Sequence, residues 1–150
     1  MLRETFTAEL KIAMKAGDKR RVDTIRMITA ALKDKDIEAR TSGKDVSEDD
    51  ILALLQKLVK SRQESMTIYE QNGRPELAAQ EREEIAVIST FLPQPLSEAE
   101  TAEAIKAAIA ETGASSIKDM GKVVAALKAA HAGKMDFAKV SGLVKAALAG

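Results

Sequence analysis

The proline pair in Leu92-Pro93-Gln94-Pro95-Leu96 is the feature that most constrains the fold of this 150-residue chain. Proline lacks a backbone N–H and its ring clashes with the preceding helical turn, so two prolines one residue apart cannot lie inside a helix. Ser97 follows, with Glu100 three residues later, a spacing typical of a helix N-terminus. The sequence therefore predicts a boundary between one helical domain at residues 1–92 and a second at 96–150.

Helical periodicity fills both sides of this boundary. Apolar residues recur at three- and four-residue steps, and capping residues and glycines separate the runs. Predicted inward positions include Phe6, Met14, Ile25, Ile37, Leu55, Ile88, Ala102, Ile105, Ile117, Val124, Leu127 and Val140. A polar loop is predicted over Thr41–Ser47. The predicted fold is all-α, with a four-helix N-terminal unit followed by a C-terminal domain of three short helices.

The composition excludes several classes of site. The chain has no cysteine, so disulfides and thiolate chemistry are absent, and its single histidine cannot form a histidine metal cluster. No apolar run is long enough to span a bilayer, and the N-terminus lacks the apolar region of a signal peptide. Aromatic residues make up only 3% of the chain, which leaves little base stacking. We therefore predict a cytoplasmic protein with no metal, no cofactor and no membrane partner.

No set of residues predicts a catalytic centre. Ser116 is interpreted as a helix N-cap because a nucleophilic serine needs a base and an oxyanion hole, which the sequence does not supply. The Gly-Lys pairs lack the remaining residues of a phosphate-binding loop. Glu81, Glu83 and Glu84 lie on different faces of a predicted helix and are interpreted as a solvated surface. His131 is interpreted as a cation at the C-terminal end of a helix.

Charge is unevenly distributed along a chain whose formal net charge is zero. Residues 113–150 carry six lysines against two aspartates, and residues 1–26 carry seven basic residues against four acidic ones. Residues 76–111 instead carry eight acidic residues against two basic ones. Such segregation produces a dipolar molecule that can orient on a polyanion. The alternative is that these side chains only solvate helix surfaces.

The sharpest binding signal is Lys122 beside Gly121, in the first turns of the sixth predicted helix. Free amides at such a position attract phosphate, and glycine allows a close approach. A glycine required for helix packing is the alternative. The lysines on either side of the Gly133 turn are placed to converge on one segment of an RNA backbone. The predicted RNA-binding residues are Lys118, Gly121, Lys122, Lys134, Lys139, Lys15, Lys19, Arg20 and Arg26.

Three long stretches of the chain resemble the small stand-alone members of the GatB/YqeY family. They are AELKIAMKAGDKRRVDTIRMITAALKDKDIE, LVKSRQESMTIYEQNGRPELAAQEREEIAVISTFLPQPLS and SSIKDMGKVVAALKAAHAGKMDFAKVSGLVKAAL. The resemblance covers nearly the whole chain. It implies that the C-terminal domain is similar to the tail of the B subunit of the glutamine-dependent amidotransferase that corrects mischarged tRNA. In that enzyme the tail contacts tRNA, while the chemistry lies elsewhere.

The resemblance also implies a family association with carbon–nitrogen ligase activity that uses glutamine as the amido donor. Amide transfer requires a nucleophile, and ATP to activate the acceptor carboxylate. This sequence has no cysteine to act as the nucleophile and no phosphate-binding loop to hold ATP. We therefore predict a tRNA-binding accessory module without a self-contained active site. Its predicted partner is tRNA or an aminoacyl-tRNA-related protein. A protein–protein interaction adaptor is the alternative function.

Overall fold

The computed structural model describes residues 1–149, and their regular structure is helical, with no strand among them. The elements are α1 (Leu2–Ala16), α2 (Lys19–Ser42), α3 (Glu48–Gln71), α4 (Pro75–Ser89), α5 (Glu98–Thr112), a 3₁₀ turn (Ile117–Asp119), α6 (Met120–His131) and α7 (Phe137–Ala149). The predicted all-α class is confirmed. Gly150, the last residue of the predicted C-terminal domain, lies outside the described residues. None of the described helices combines the length and apolarity needed to cross a membrane.

The chain divides into two compact units, Met1–Leu92 and the residues from Pro93 onwards. The residues between α4 and α5 are not helical, as the two prolines require. We call the first unit the N-terminal unit and the second the C-terminal unit. Each has a hydrophobic core of its own.

The N-terminal unit is built from α1 to α4. Capping residues define the turn between α1 and α2: Gly17 takes a left-handed conformation with φ of 69°, and the Asp18 carboxylate accepts the Arg21 N–H at 3.2 Å. Ser47 and Asp50 form a reciprocal capping box at the start of α3. The buried core consists of Phe6, Ile25, Ile28, Leu32, Ile51, Leu54, Leu55, Ile88 and Phe91.

The C-terminal unit is built from α5, α6 and α7. Both α5 and α7 pack against α6, and the buried core consists of Ile105, Ala108, Val123, Leu127, Met135, Val140 and Val144. Ser97 and Glu100 form the predicted capping box at the start of α5. The Leu96 N–H donates to the Lys134 carbonyl at 3.0 Å, so the segment that leads into α5 is held beside the segment that leads into α7.

Several predicted boundaries and core positions were wrong. The loop predicted over Thr41–Ser47 begins two residues later, because α2 continues to Ser42. The Ser42 hydroxyl donates to the Ala39 carbonyl at 3.1 Å, which lets a serine remain in the last helical turn. The helix ends at Gly43, which takes the left-handed conformation with φ of 73°.

The remaining corrections concern side chains predicted to face inward. The exposed ones are Met14, Ile37, Ala102 and Ile117. In the sixth predicted helix, Val123 is fully buried, whereas Val124 is only half-buried. Val124 nevertheless packs against the core of the C-terminal unit, at its edge rather than at its centre.

Candidate nucleic-acid interface

Among the described residues, the lysines of the C-terminal unit make no ion pairs, and of the lysines of the N-terminal unit only Lys35 makes one, with Glu38 at 3.9 Å. Every ion pair among the described residues lies between residues 1 and 84. The C-terminal unit contains seven lysines, and none is paired with a carboxylate within the part of the chain that the structure describes. Its lysines are therefore available to an external anion.

The acidic residues of the same unit make hydrogen bonds to backbone amides instead. The Glu100 carboxylate accepts the Ser97 N–H at 3.1 Å, and the Asp119 carboxylate accepts the Ser115 N–H at 3.0 Å. The Asp136 carboxylate accepts the Ala138 N–H at 3.1 Å. The backbone hydrogen bond from Ser97 lowers the pKa of Glu100, and that from Ser115 lowers the pKa of Asp119. Half of the unit's carboxylates are thus engaged at helix termini rather than with lysines.

The candidate lysines lie at two ends of the α6–α7 hairpin. A five-residue connection joins these helices, and α7 also contacts the 3₁₀ turn that precedes α6, so the two helices run antiparallel. Lys118 and Lys122 consequently lie at the end opposite to Lys134 and Lys139. The 12 residues of α6 span about 18 Å at about 1.5 Å per residue. The antiparallel hairpin therefore separates the four lysines into two pairs, and their convergence on one segment of an RNA backbone stays a prediction.

Lys145 was missed by the sequence reasoning. It is exposed and lies late in α7, at the end of the hairpin where α7 contacts the 3₁₀ turn. This end therefore carries Lys118, Lys122 and Lys145. The length of the connection between two amphipathic helices was the signal that could have found it, since a short connection implies an antiparallel pair.

Gly121 lies in the first turn of α6 with open space around it. A β-carbon added there would meet no atom within 4 Å, so the helix-packing alternative is excluded. The two amides before it are already hydrogen-bonded, from Asp119 to the Ser116 carbonyl and from Met120 to the Ile117 carbonyl. Attraction of a phosphate at this point would therefore depend on the neighbouring lysine side chains more than on free amides.

The other predicted RNA-binding residues lie in the N-terminal unit. Lys15 is in the last turn of α1 and Lys19 is the first residue of α2, so these two exposed lysines flank the turn at Gly17. Arg26 is exposed further along α2. The Arg20 guanidinium is already engaged, with its Nε 3.0 Å from a Glu83 oxygen and an Nη1 atom 3.9 Å from Glu84.

The three glutamates of α4 that the sequence suggested were a solvated surface differ in exposure: Glu83 is 61% exposed, whereas Glu81 and Glu84 are partly buried. Glu84 is 20% exposed and its Oε2 lies 3.1 Å from the Nε of Arg62, which is 17% exposed. Arg62 also donates to the Leu58 carbonyl at 3.1 Å. Together with Arg20, this network links α2, α3 and α4. Burial raises the pKa of the neighbouring Glu81, and the nearby charge of Glu84 adds to the shift.

The residues considered for catalysis are not assembled into a site. Ser116 precedes the 3₁₀ turn and His131 ends α6, so the length of α6 separates them. The hydrogen bonds to backbone amides at this turn are made by the Asp119 carboxylate. Among residues 1–149, no group of three or more histidine, cysteine, aspartate or glutamate side chains is arranged to hold a metal ion.

Comparison with known proteins places these features in a family context. The model of the family described as "Yqey-like protein" matches residues 3–148. "Altered inheritance of mitochondria protein 41, mitochondrial" of Lachancea thermotolerans is 37% identical over 86 residues, which is 57% of this chain and 45% of that protein. The protein of the same name from Vanderwaltozyma polyspora is 34% identical over 84 residues, 56% of this chain and 44% of that protein.

The similarity therefore spans less than half the length of these curated relatives. Their names also overturn one prediction. The predicted cytoplasmic location was wrong by this comparison, because the similar proteins are named as mitochondrial. The composition behind that prediction, a chain without cysteine or a bilayer-length apolar run, does not distinguish one aqueous compartment from another.

Proposed function

Because this chain belongs to the family of Yqey-like proteins, we propose that it is an RNA-binding accessory module directed at tRNA. Its lysines in residues 93–149 contact the phosphate backbone. The observation that carries the proposal is a local excess of lysine, since residues 113–150 carry six lysines against two aspartates and none of these lysines is ion-paired among the described residues. The resemblance of the C-terminal part to the amidotransferase B-subunit tail supports tRNA as the partner.

Recognition in this proposal is electrostatic. Each lysine that neutralises a phosphate releases a condensed counterion, so the affinity falls steeply with salt. The chain has a single tyrosine, three phenylalanines and no tryptophan, so base stacking contributes little. The module consequently supplies contacts to the backbone, which position a nucleic acid without reading its sequence.

The separation of the lysines defines the footprint. Lys122, the third residue of α6, lies about 14 Å along the helix axis from the end that carries Lys134 and Lys139, and Lys118 precedes the helix. A duplex strand presents about four phosphates over about 14 Å, at about 3.4 Å each. The two pairs of lysines should therefore contact different phosphates and contribute independently. Gly121 lies beside the first pair and leaves the surface of α6 there without a side chain. Lys15, Lys19 and Arg26 remain candidates in the N-terminal unit.

The test is a titration of tRNA at two salt concentrations. The Lys118/Lys122 and Lys134/Lys139 double alanine variants should each lower the affinity, and the quadruple variant should show the sum of the two changes in binding free energy, because sites this far apart are additive. Replacing one lysine that binds a phosphate should flatten the salt slope by about one unit. The charge-matched control is a Lys33/Lys44/Lys57/Lys60 quadruple alanine variant, which removes four exposed lysines from the N-terminal unit.

Unchanged binding by the Lys118/Lys122/Lys134/Lys139 variant, or an equal loss in the control, would contradict the proposal. The protein–protein adaptor would then be the better function. The family association with a glutamine-dependent carbon–nitrogen ligase enters the proposal only as a role within a larger complex. We expect the purified chain alone to hydrolyse neither glutamine nor ATP above background, and turnover that disappears in Ser116→Ala would refute this expectation.

A further inference from the structure

A groove runs between α5 and α7 in the C-terminal unit. Both helices pack against α6 but hardly against each other, which leaves an open cavity of about 850 Å³. Aliphatic side chains from both walls line it, among them Ile105, Ile109, Val140 and Leu143. Leu143, one of these lining residues, is 52% exposed. The groove therefore offers apolar surface that the described residues do not cover.

The two walls of the groove carry opposite charge. The α5 wall presents Glu98 and Glu103 together with one lysine, Lys106. On the other side, Lys134 precedes α7 and Lys139 lies within it, together with one acidic residue, Asp136. The α7 wall is therefore basic on balance, with two lysines against one aspartate, and the α5 wall is acidic on balance, with two glutamates against one lysine. An occupant of matching charge must therefore be basic along one edge and acidic along the other.

We propose that this groove binds one amphipathic α-helix of a partner protein. The helix presents an aliphatic stripe with the spacing i, i+3 or i+4, i+7, a basic flank towards α5 and an acidic flank towards α7. The α5 wall from Glu98 to Ile109 extends over about 17 Å, or about three helical turns, which suits three or four anchoring side chains. A partner helix in this position adds a fourth helix to a three-helix unit.

The mixed charge of the walls decides against a polyanion in the groove. Glu98 and Glu103 would repel phosphate from the α5 side, although Lys134 and Lys139 would attract it from the α7 side. A phosphate would also bury none of the apolar surface on the floor of the groove. A partner helix would remove that surface from water, which stabilises the complex. Proteins meet through such apolar centres with charged rims.

The experiment uses the full-length chain and three synthetic helical peptides with the same aliphatic stripe. One peptide has a lysine flank and a glutamate flank, one has lysine on both flanks, and one has glutamate on both flanks. We expect the mixed peptide to bind at least about fivefold more tightly than either uniform peptide, because only it matches both walls. In Glu103→Lys, which makes the α5 wall basic, the preference should change to the peptide with two glutamate flanks.

Two neutral substitutions separate the groove from the rest of the surface. Leu143→Gln should weaken binding of the mixed peptide about tenfold, because it removes an apolar contact. Ile117→Gln changes a similarly exposed residue of the same unit outside the groove and should leave binding unchanged. The proposal is overturned if no peptide binds, if all three bind equally, or if Leu143→Gln has no effect. A loss of tRNA affinity in Leu143→Gln would assign the groove to nucleic acid and also overturn it.

Discussion

Gly121 and Gly142 are helical glycines that lie in two different helices, α6 and α7. Both lie inside α-helices without a positive φ, and an added β-carbon would meet no atom within 4 Å at either position. Glycine costs up to about 1 kcal/mol relative to alanine in a helix. We therefore expect Gly121→Ala and Gly142→Ala each to raise the free energy of unfolding by up to about 1 kcal/mol, measured by chemical denaturation of the full chain.

The same two variants test the role of Gly121 in binding. Gly121 follows the 3₁₀ turn beside Lys122, whereas Gly142 lies in the interior of α7. We expect only Gly121→Ala to weaken tRNA binding, because the methyl group covers backbone at the end of the hairpin where lysines collect. Equal affinities of the two variants would remove Gly121 from the proposed surface, and a loss of stability in Gly121→Ala would contradict the open space around it.

Glu84 is the residue in the N-terminal unit whose charge should matter most. It is shared by Arg20 and Arg62 from two other helices and is only 20% exposed. Removing one partner of a buried pair costs about 3–5 kcal/mol, and an exposed pair contributes about 0–1 kcal/mol. For this partly buried network we expect Glu84→Gln to lower the free energy of unfolding by about 2 kcal/mol.

Glu76→Gln is the matched control for that change. Glu76 pairs with Arg74 at 2.9 Å, but both side chains are more than half exposed, so the loss should be smaller than that of Glu84→Gln. Urea denaturation of the two variants gives the comparison. Equal and small losses would show that the Glu84 network is solvated, as the sequence alone suggested.

At the scale of the element, α5 depends on its capping box. The Ser97 hydroxyl accepts the Glu100 N–H at 3.1 Å, and the Glu100 carboxylate accepts the Ser97 N–H at 3.1 Å. Ser97→Ala should lower the stability of the C-terminal unit by about 1 kcal/mol. Thermal unfolding followed by circular dichroism measures this loss, and Ser115→Ala, outside any helix, should leave stability nearly unchanged.

The same capping box predicts how stability varies with pH. The Ser97 N–H lowers the pKa of Glu100 from its ordinary value of 4.5. A carboxylate whose pKa is lowered on folding stabilises the folded state above its ordinary pKa, and this contribution is lost as the pH falls through the lowered value. Glu100→Gln should therefore destabilise the unit at pH 7 but change little at pH 2. A constant difference between the two pH values would exclude the carboxylate as the source.

Local chemistry explains which elements the sequence predicted correctly. Ser97 starts α5 with the predicted capping box, because capping involves residues within a few positions of each other, and Gly17, Asp18, Ser47 and Gly113 also lie at helix termini. The sequence did not predict the full burial of Val123, which depends on how α6 packs against its neighbours, while the predicted Val124 lies at the edge of the same core. The separation of the lysine pairs and the Glu84 network depends on how helices pack, and the pattern of one helix does not specify its neighbour.

At the scale of the molecule, charge is used differently in the two units. In residues 1–84 arginines form ion pairs between helices, as Arg3 does with Asp36 at 2.7 Å. In the C-terminal unit the basic residues are all lysines, whose flexible side chains act as point charges on phosphate. Zero net charge for the whole chain thus combines a largely compensated unit with one whose lysines are unpaired among the described residues.

This division predicts that RNA affinity follows the C-terminal unit. Limited proteolysis should cut at the exposed Gly43–Asp45 loop or near Pro93, where the backbone is not helical. Since the C-terminal unit has its own core, we expect a fragment of residues 93–150 to stay helical by circular dichroism. It should bind tRNA with a salt slope within about one unit of the full chain, because the lysines in question are retained.

The fragment of residues 1–92 is the counterpart in this experiment. It retains Lys15, Lys19 and Arg26 but has most of its arginines in ion pairs, so we expect weak binding with a shallow salt slope. The fragment of residues 93–150 carrying the four lysine-to-alanine changes should bind no better than that. If residues 1–92 instead account for the affinity of the full chain, the RNA contact belongs to the turn between α1 and α2, because Lys15 and Lys19 flank it without ion pairs among the described residues.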